Sequence, residues 1–321
     1  MALSEFELIA RYFYRAPAHD DVELGIGDDA AVVSVAPDHS LVMALDTLVA
    51  GVHFPADSRA DDIAYKALAV NLSDMAAMGA HANWMLLGLT LPQLDEAWLD
   101  AFSRGLKSLA DEYGVVLIGG DTTRGPLTVT VQINGLVPQG QALKRSGAQA
   151  GDLIYVSGQL GDAGLGLQLA LRQIQLDLPP ARRDYFLQRL QRPSPRLALG
   201  RALGGVASAA IDISDGLLAD LGHILDASGV GAEIHLEQLP VAPEIIGLGQ
   251  QGWSLPLCAG DDYELCFTVP PERGALLEAR LRSVDCPCRC IGRIETHSGL
   301  RVLYNGEKVE TDSFKGYRHF D

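Results

Sequence analysis

Apolar and polar positions alternate along the chain with two periods, and the switches between them mark out helices and strands. Phe6, Ile9 and Phe13 fall at helical spacing behind a Ser4–Glu7 capping box, which predicts an opening helix. The runs AAVVSV and LVMALDTLV predict extended segments. A helix follows over 59–78, a strand at NWMLLGLTL, a second helix over 95–113, then strands at VVLIGG and LTVTVQINGLV. Hairpin-like and crossover connections both occur in this half, so it reads as α/β with a mixed sheet.

The segment 138–152, PQGQALKRSGAQAGD, is polar and rich in Gly and Gln, and it marks a boundary between domains 1–138 and 139–321. Beyond it, DLIYVSG predicts a strand and GDAGLGLQLALRQIQL opens a helix that RPSPR interrupts. Strands at AAIDIS, GAEIHL, YELCFTV, CRCIGRI and LRVLY alternate with helices over 215–228 and 271–284, so the second domain is also α/β.

Charge narrows the partners. Twenty-five basic and 41 acidic residues give a net charge of −16, with no basic run, which argues against a nucleic acid or an anionic membrane surface. A phosphate-bearing ligand would need cations to approach such a chain. No apolar run is long enough to span a bilayer, and LVMALDTLVAGV is broken by Asp46. The N-terminus has neither a basic region nor an unbroken apolar segment, so no signal peptide is expected. The five cysteines, Cys258, Cys266, Cys286, Cys288 and Cys290, fit neither a zinc pair nor a disulfide framework, and a reduced cytoplasmic protein is expected.

The acidic residues cluster. GIGDDAAV at 25–32, IGGDTTRG at 118–125, IDISDGL at 211–217 and AGDDYEL at 259–265 each read as an acidic turn beside an apolar run. A single Asp in a turn is usually an Asx-turn or a helix cap, and Asp162 and Asp215 could serve in that way. Adjacent acids such as Asp28–Asp29 and Asp261–Asp262 repel unless cations are present. Asp74 shares a helical stripe with Ala67, Val70 and Asn71 and points inward with no basic residue one turn away; Asp46 interrupts an apolar strand. Either a core hydrogen bond or a metal would satisfy them. Hard oxygen ligands from several loops suit Mg²⁺ or Ca²⁺, and Mg²⁺ joins carboxylates to substrate phosphates. The glycine-rich SGQLGDAGLGL stretch offers backbone donors for a phosphate at a helix entrance, and Arg145 is either a phosphate cation or a solvated surface residue.

Together GIGDDAAV, LDTLVAGVHF, KALAVNLSDMAAMGA, IGGDTTRGP, AIDISDGL and GDDYELCF resemble the thiamine-monophosphate kinase family, within a wider ATP-using group similar to aminoimidazole ribonucleotide synthetase. The resemblance runs from the first helix to FKGYRHF near the end. It implies a two-domain α/β fold whose mixed-sheet N-terminal domain forms a barrel shared across a homodimer. It also implies γ-phosphoryl transfer from ATP to thiamine phosphate with several Mg²⁺ ions. By motif it makes Asp29, Asp46, Asp74, Asp121, Asp212 and Asp215 metal ligands. Gly120, Asp121, Arg145 and Ser214 become ATP contacts, and His53, Asp261 and Tyr317 thiamine-phosphate contacts.

Three positions depart from the family's pattern. Leu45 stands where a Ser or Thr commonly precedes the metal-binding Asp, and in the AGDD stretch Ala259 and Asp261 replace a Gly and a Glu. No general base is nominated, because the acceptor is itself a phosphate and the chemistry is positioning and charge neutralisation. Among related enzymes, a selenophosphate synthetase needs an early reactive Cys, and the hydrogenase-maturation protein a terminal one; here the first is Cys258 and the chain ends HFD. A non-catalytic Ca²⁺- or nucleotide-binding protein is the rival of another class.

Overall fold

The computed structural model describes residues 5–14 and 19–310, so Ser4 of the opening capping box and Tyr317 lie outside the described residues. The chain divides into two compact units, Met1–Met75 with Ala80–Gly140, and Ala76–Gly79 with Gln141–Asp321.

In the first unit the order is α1 (Glu5–Tyr12), β1 (Val22–Leu24), β2 (Val32–Val33), β3 (His39–Val49), α2 (Ala60–Ala77), β4 (His81–Leu91), α3 (Glu96–Tyr113), β5 (Val116–Arg124) and β6 (Thr128–Pro138). The long elements arise where periodicity is strongest. In α3, Leu99, Phe102, Leu106 and Leu109 form one buried stripe. Asp95 caps it by accepting from the N–H groups of Ala97 and Trp98, and Gly114 ends it in the left-handed conformation. Gly105 lets α3 approach α2 closely, since a Cβ there would lie 2.3 Å from the Asp61 carbonyl oxygen. The run AAVVSV supplies only the two-residue β2, antiparallel to β1.

The main sheet of this unit has the order β3-β6-β4-β5, with β4 and β5 parallel and the other pairs antiparallel. Along β4 and β6, Met85, Leu87, Leu89, Val129, Val131 and Ile133 are buried. On edge strand β3 the alternate residues Leu41, Met43 and Leu45 are 41%, 62% and 59% exposed. Register places Leu41 and Leu45 beside Leu136 and Gln132 of β6, so one face of the sheet is covered and the other is an open, largely apolar surface.

IGGDTTRG proves to be strand rather than turn. Parallel pairing with β4 carries β5 through Gly88–Asp121 to Leu91–Arg124, and the chain turns only at Gly125–Pro126.

The second unit contains β7 (Leu153–Ser157), α4 (Asp162–Ala170), α5 (Pro180–Gln191), α6 (Leu197–Leu203), β8 (Ala209–Ile213), α7 (Leu217–Ser228), β9 (Gly231–His235), α8 (Pro243–Ile246), α9 (Ser254–Cys258), β10 (Glu264–Val269), α10 (Gly274–Leu281), β11 (Cys288–Glu295), β12 (Gly299–Tyr304) and β13 (Glu307–Lys308). Its seven-stranded sheet runs β13-β12-β9-β11-β7-β10-β8 and is mixed: β9 and β12 are parallel, the other pairs antiparallel. Ile154, Val156, Ile211 and Ile213 from its strands pack with Leu221 and Ile224 of α7 in the main core. All five cysteines are free thiols.

Candidate active site

The candidate site acids of the first unit fall into two groups. Gly25–Asp29, between β1 and β2, and Gly119–Asp121 of β5 line one open cleft of about 890 Å³, with Leu86 and Gln132 on its floor. The N–H of Asp29 donates to Asp28 Oδ1 at 2.9 Å, so Asp28 closes its own turn, and both carboxylates are exposed. Gly120 must be glycine: a Cβ would lie 1.9 Å from the Leu87 carbonyl oxygen. The backbone there is bare beside the exposed Asp121, giving the cleft glycine edges and carboxylate tips.

The second group pairs Asp46 of β3 with Asp74 of α2. Asp74 is half-buried and hydrogen-bonded to the Asp46 carboxyl. Burial pushes the Asp46 carboxyl above its ordinary range, and the Asp74 hydrogen bond and nearby His53 pull it part of the way back. Two carboxyl groups in such contact share a proton or hold a cation. The Nδ1 atom of His53 accepts from the Val49 N–H at 3.0 Å, which leaves Nε2 to carry the proton in the neutral ring. Lys66, 3% exposed, donates through Nζ to the His53 carbonyl oxygen at 3.3 Å and ties that loop to α2. Sequence reasoning passed over Lys66; its signal is a lysine set among Ile63, Ala64, Ala67, Leu68 and Ala69 in the apolar middle of α2.

In the second unit Asp212 is buried within β8, while Ser214 and Asp215, in the turn after it, are half-buried. Asp261 sits in the facing turn at φ 63°, and its N–H donates to the Ser214 carbonyl oxygen at 2.9 Å. Tyr263, also left-handed at φ 49°, donates to the Ile213 carbonyl oxygen at 2.9 Å. Arg145 is exposed, and its carbonyl oxygen accepts from Ser228 Oγ at 3.3 Å.

Three further acids in this unit are structural anchors. Asp220 of α7 accepts through Oδ2 from the N–H groups of Ser214, Asp215 and Gly216 at 3.0, 3.0 and 3.1 Å; burial pushes its carboxyl up to about 7. Asp262 accepts from the N–H of Gly161 at 2.7 Å and of Ala163 at 3.4 Å. The glycine-rich entrance to α4 thus spends these two donors on Asp262, and they are not open to a phosphate. Fully buried Glu264 pairs with Arg189 at 2.9 Å and with Arg196, and accepts from Ser157 Oγ at 2.6 Å. The adjacency Asp261–Asp262 pointed to mutual repulsion, and nothing local showed which acid turns inward.

Among the described residues, no three His, Cys, Asp or Glu side chains gather in one place tightly enough to hold a metal. The acids stand singly or in pairs, each offering hard oxygen donors. Mg²⁺ commonly takes one or two carboxylates and completes its shell with water and phosphate oxygens, so the donor set fits that ion.

Two mixed α/β units carrying carboxylate-tipped, glycine-edged turns define the class. Residues 27–137 match the family model "AIR synthase related protein, N-terminal domain", and 149–305 match its C-terminal domain. Over all of this chain and 99% of its own length, the thiamine-monophosphate kinase of Escherichia coli K12 is 50% identical. The crystal structure of thiamine-monophosphate kinase from Stenotrophomonas maltophilia K279a superposes with a TM-score of 0.84 at 46% identity, covering 91% of this chain and 93% of that one. The structure of AaThiL complexed with AMPPCP and TMP gives 0.77 at 33% identity, covering 89% of each chain. The chain belongs to the thiamine-monophosphate kinase family.

Proposed function

We propose that this chain transfers the γ-phosphoryl group of ATP to thiamine phosphate, forming thiamine diphosphate. Family membership supports the reaction, and so does the AaThiL complex with AMPPCP and TMP. The observation that carries it is the single cleft into which both Asp29 and Asp121 open beside the bare backbone of Gly119–Gly120. A polyanion can lie there only if its charge is neutralised, and oxygen donors alone suit Mg²⁺.

In this reading Asp29, Asp46, Asp74 and Asp121 of the first unit, and Asp212 and Asp215 of the second, hold several Mg²⁺ ions. Gly120, Asp121, Arg145 and Ser214 contact ATP; His53, Asp261 and Tyr317 contact thiamine phosphate. Mg²⁺, when bound, neutralises charge on the transferring phosphoryl group. The chain's own part is to hold donor and acceptor in line: backbone at Gly120 admits close approach, and His53 is fixed by Val49 and Lys66. Leu45 costs no carboxylate, and Asp261 keeps an acid one methylene shorter. No side chain is required as base, because the acceptor oxygen is already anionic.

Residues 1–138 then form the ATP- and Mg²⁺-binding domain and also the dimerisation domain, with 139–321 as the second domain. The open face carrying Leu41, Met43 and Leu45 supports a homodimer in which a second copy covers it. The free thiols support a cytoplasmic, reducing setting.

Incubation with ATP, Mg²⁺ and either thiamine phosphate or free thiamine, with chromatographic separation of products, tests the reaction. Thiamine diphosphate and ADP should form in equal amounts from thiamine phosphate. Free thiamine, with a neutral hydroxyl and no metal-binding group, should react orders of magnitude more slowly. Comparable rates from the two acceptors would overturn the role given to the acceptor phosphate.

A further inference from the structure

The turn Ser214–Asp215–Gly216 presents two of the side chains assigned above, yet neither fixes its own conformation. Gly216 stands at the N-terminus of α7 without any side-chain cap, at φ 109° and ψ 150°. A Cβ there would lie 2.7 Å from the Cα of Cys258, so the turn is pressed against the end of α9. What holds it from within is one oxygen atom. Asp220 Oδ2 accepts three consecutive backbone N–H bonds, from 214, 215 and 216, each between 3.0 and 3.1 Å.

Asp220 is itself deeply buried. It is 2% exposed, and its neighbours along α7, Leu217, Leu221 and Ile224, lie in the main core. Water has little access to replace the carboxylate. From the other side, the Ser214 carbonyl oxygen accepts from the Asp261 N–H at 2.9 Å. With all three donors and this acceptor engaged, the backbone of the turn is held from both sides, and Ser214 and Asp215 on it are half-buried.

We propose that Asp220 is a positioning residue for phosphoryl transfer, setting the Ser214–Gly216 turn in the conformation that engages the nucleotide. The proposal rests on the assignment of Ser214 to ATP and Asp215 to Mg²⁺. A helix cap of purely structural value would affect stability alone; a positioning group also affects the Michaelis constant for ATP, since small misplacements of binding groups cost up to about a hundredfold in rate.

The test compares Asp220→Ala, Asp220→Asn and Ile224→Ala in the full chain. For each, kcat and KM for ATP are measured at saturating Mg²⁺ and thiamine phosphate, with thermal melting as the fold control. Asp220→Ala should raise KM for ATP about tenfold and lower kcat/KM about a hundredfold. Asp220→Asn keeps an oxygen acceptor and should recover most of that loss. Ile224→Ala, a core deletion on the same helix, should lower the melting temperature and leave KM unchanged. If Asp220→Ala does not fold, the contrast between Asp220→Asn and Ile224→Ala decides. An asparagine variant whose KM for ATP stays raised severalfold, at a melting temperature lowered no more than that of Ile224→Ala, supports the proposal. An asparagine variant that loses stability yet keeps the wild-type KM overturns it, as does an unchanged KM in a folded Asp220→Ala. Ser214→Ala and Asp215→Asn are assayed alongside: if neither alters KM for ATP or kcat, the assignment of the turn fails, and with it the proposal; if they do and Asp220→Ala does not, only the positioning role fails.

Discussion

The Asp261 N–H donates to the Ser214 carbonyl oxygen at 2.9 Å. The turn assigned to thiamine phosphate is therefore hydrogen-bonded, backbone to backbone, to the turn assigned to ATP. Asp261 reaches that bond only at φ 63°, a conformation that costs a non-glycine residue about 1–2 kcal/mol. Asp261→Gly should relieve this strain while removing the carboxylate, so the protein should melt no lower than wild type but show a raised KM for thiamine phosphate. Steady-state kinetics paired with a thermal melt separate the two effects.

Asp121→Asn should leave the fold intact, since Asp121 is an exposed strand residue, and should reduce turnover by about a hundredfold or more. Initial rates at saturating Mg²⁺ check this, and near-wild-type turnover would remove Asp121 from the metal set.

Mg²⁺ should raise the melting temperature of the metal-free protein, because an ion bound to the native state alone stabilises it. The Asp46–Asp74 contact makes this specific: Asp46→Asn should shrink the Mg²⁺-dependent rise. A titration by differential scanning calorimetry, requiring no substrate, would show an unaltered rise if the pair holds no ion.

Burial raises the Asp262 carboxyl from 3.8 to about 8, with Asp162 and Glu264 adding to the shift and the Gly161 N–H and Arg189 opposing it. A carboxyl raised in the folded state binds its proton more tightly there than in the unfolded chain. Its contribution is complete below pH 3.8 and is lost as pH rises through about 8. Asp262→Asn keeps an acceptor for Gly161 and Ala163 and does not titrate, so the fall in melting temperature across that window should be shallower than in wild type. Parallel slopes in the two proteins would contradict the assignment.

Met43, midway along edge strand β3, is 62% exposed on the open face of the first unit's sheet. If a second copy covers that face, Met43→Glu should convert a dimer to a monomer in sedimentation velocity, since a charge buried in an apolar interface has no partner. A wild-type chain that sediments as a monomer at micromolar concentration would refute the homodimer.

The sequence by itself determined the long elements and the family. The periodicity of α3, β4 and β6 is strong enough that only their ends shift, because those elements bury a face that spacing alone reveals, and α2 and β3 are legible from the length of their apolar runs. The motifs around Asp29, Asp46, Asp74, Asp121, Asp212 and Asp215 are local strings and could be read as such. Tertiary structure decided what each acid does. Whether Asp121 sits in a turn or a strand depended on pairing with β4, which overrides the turn preference of its glycines. Asp74 meets the Asp46 carboxyl because β3 brings it there. Asp262 could be told from Asp261 only when Gly161, 101 residues distant, arrived with its N–H, and Asp220 only when the turn before α7 folded back over it. Such pairings follow from register and topology, which bring distant backbone donors to a carboxylate, and no local pattern encodes them.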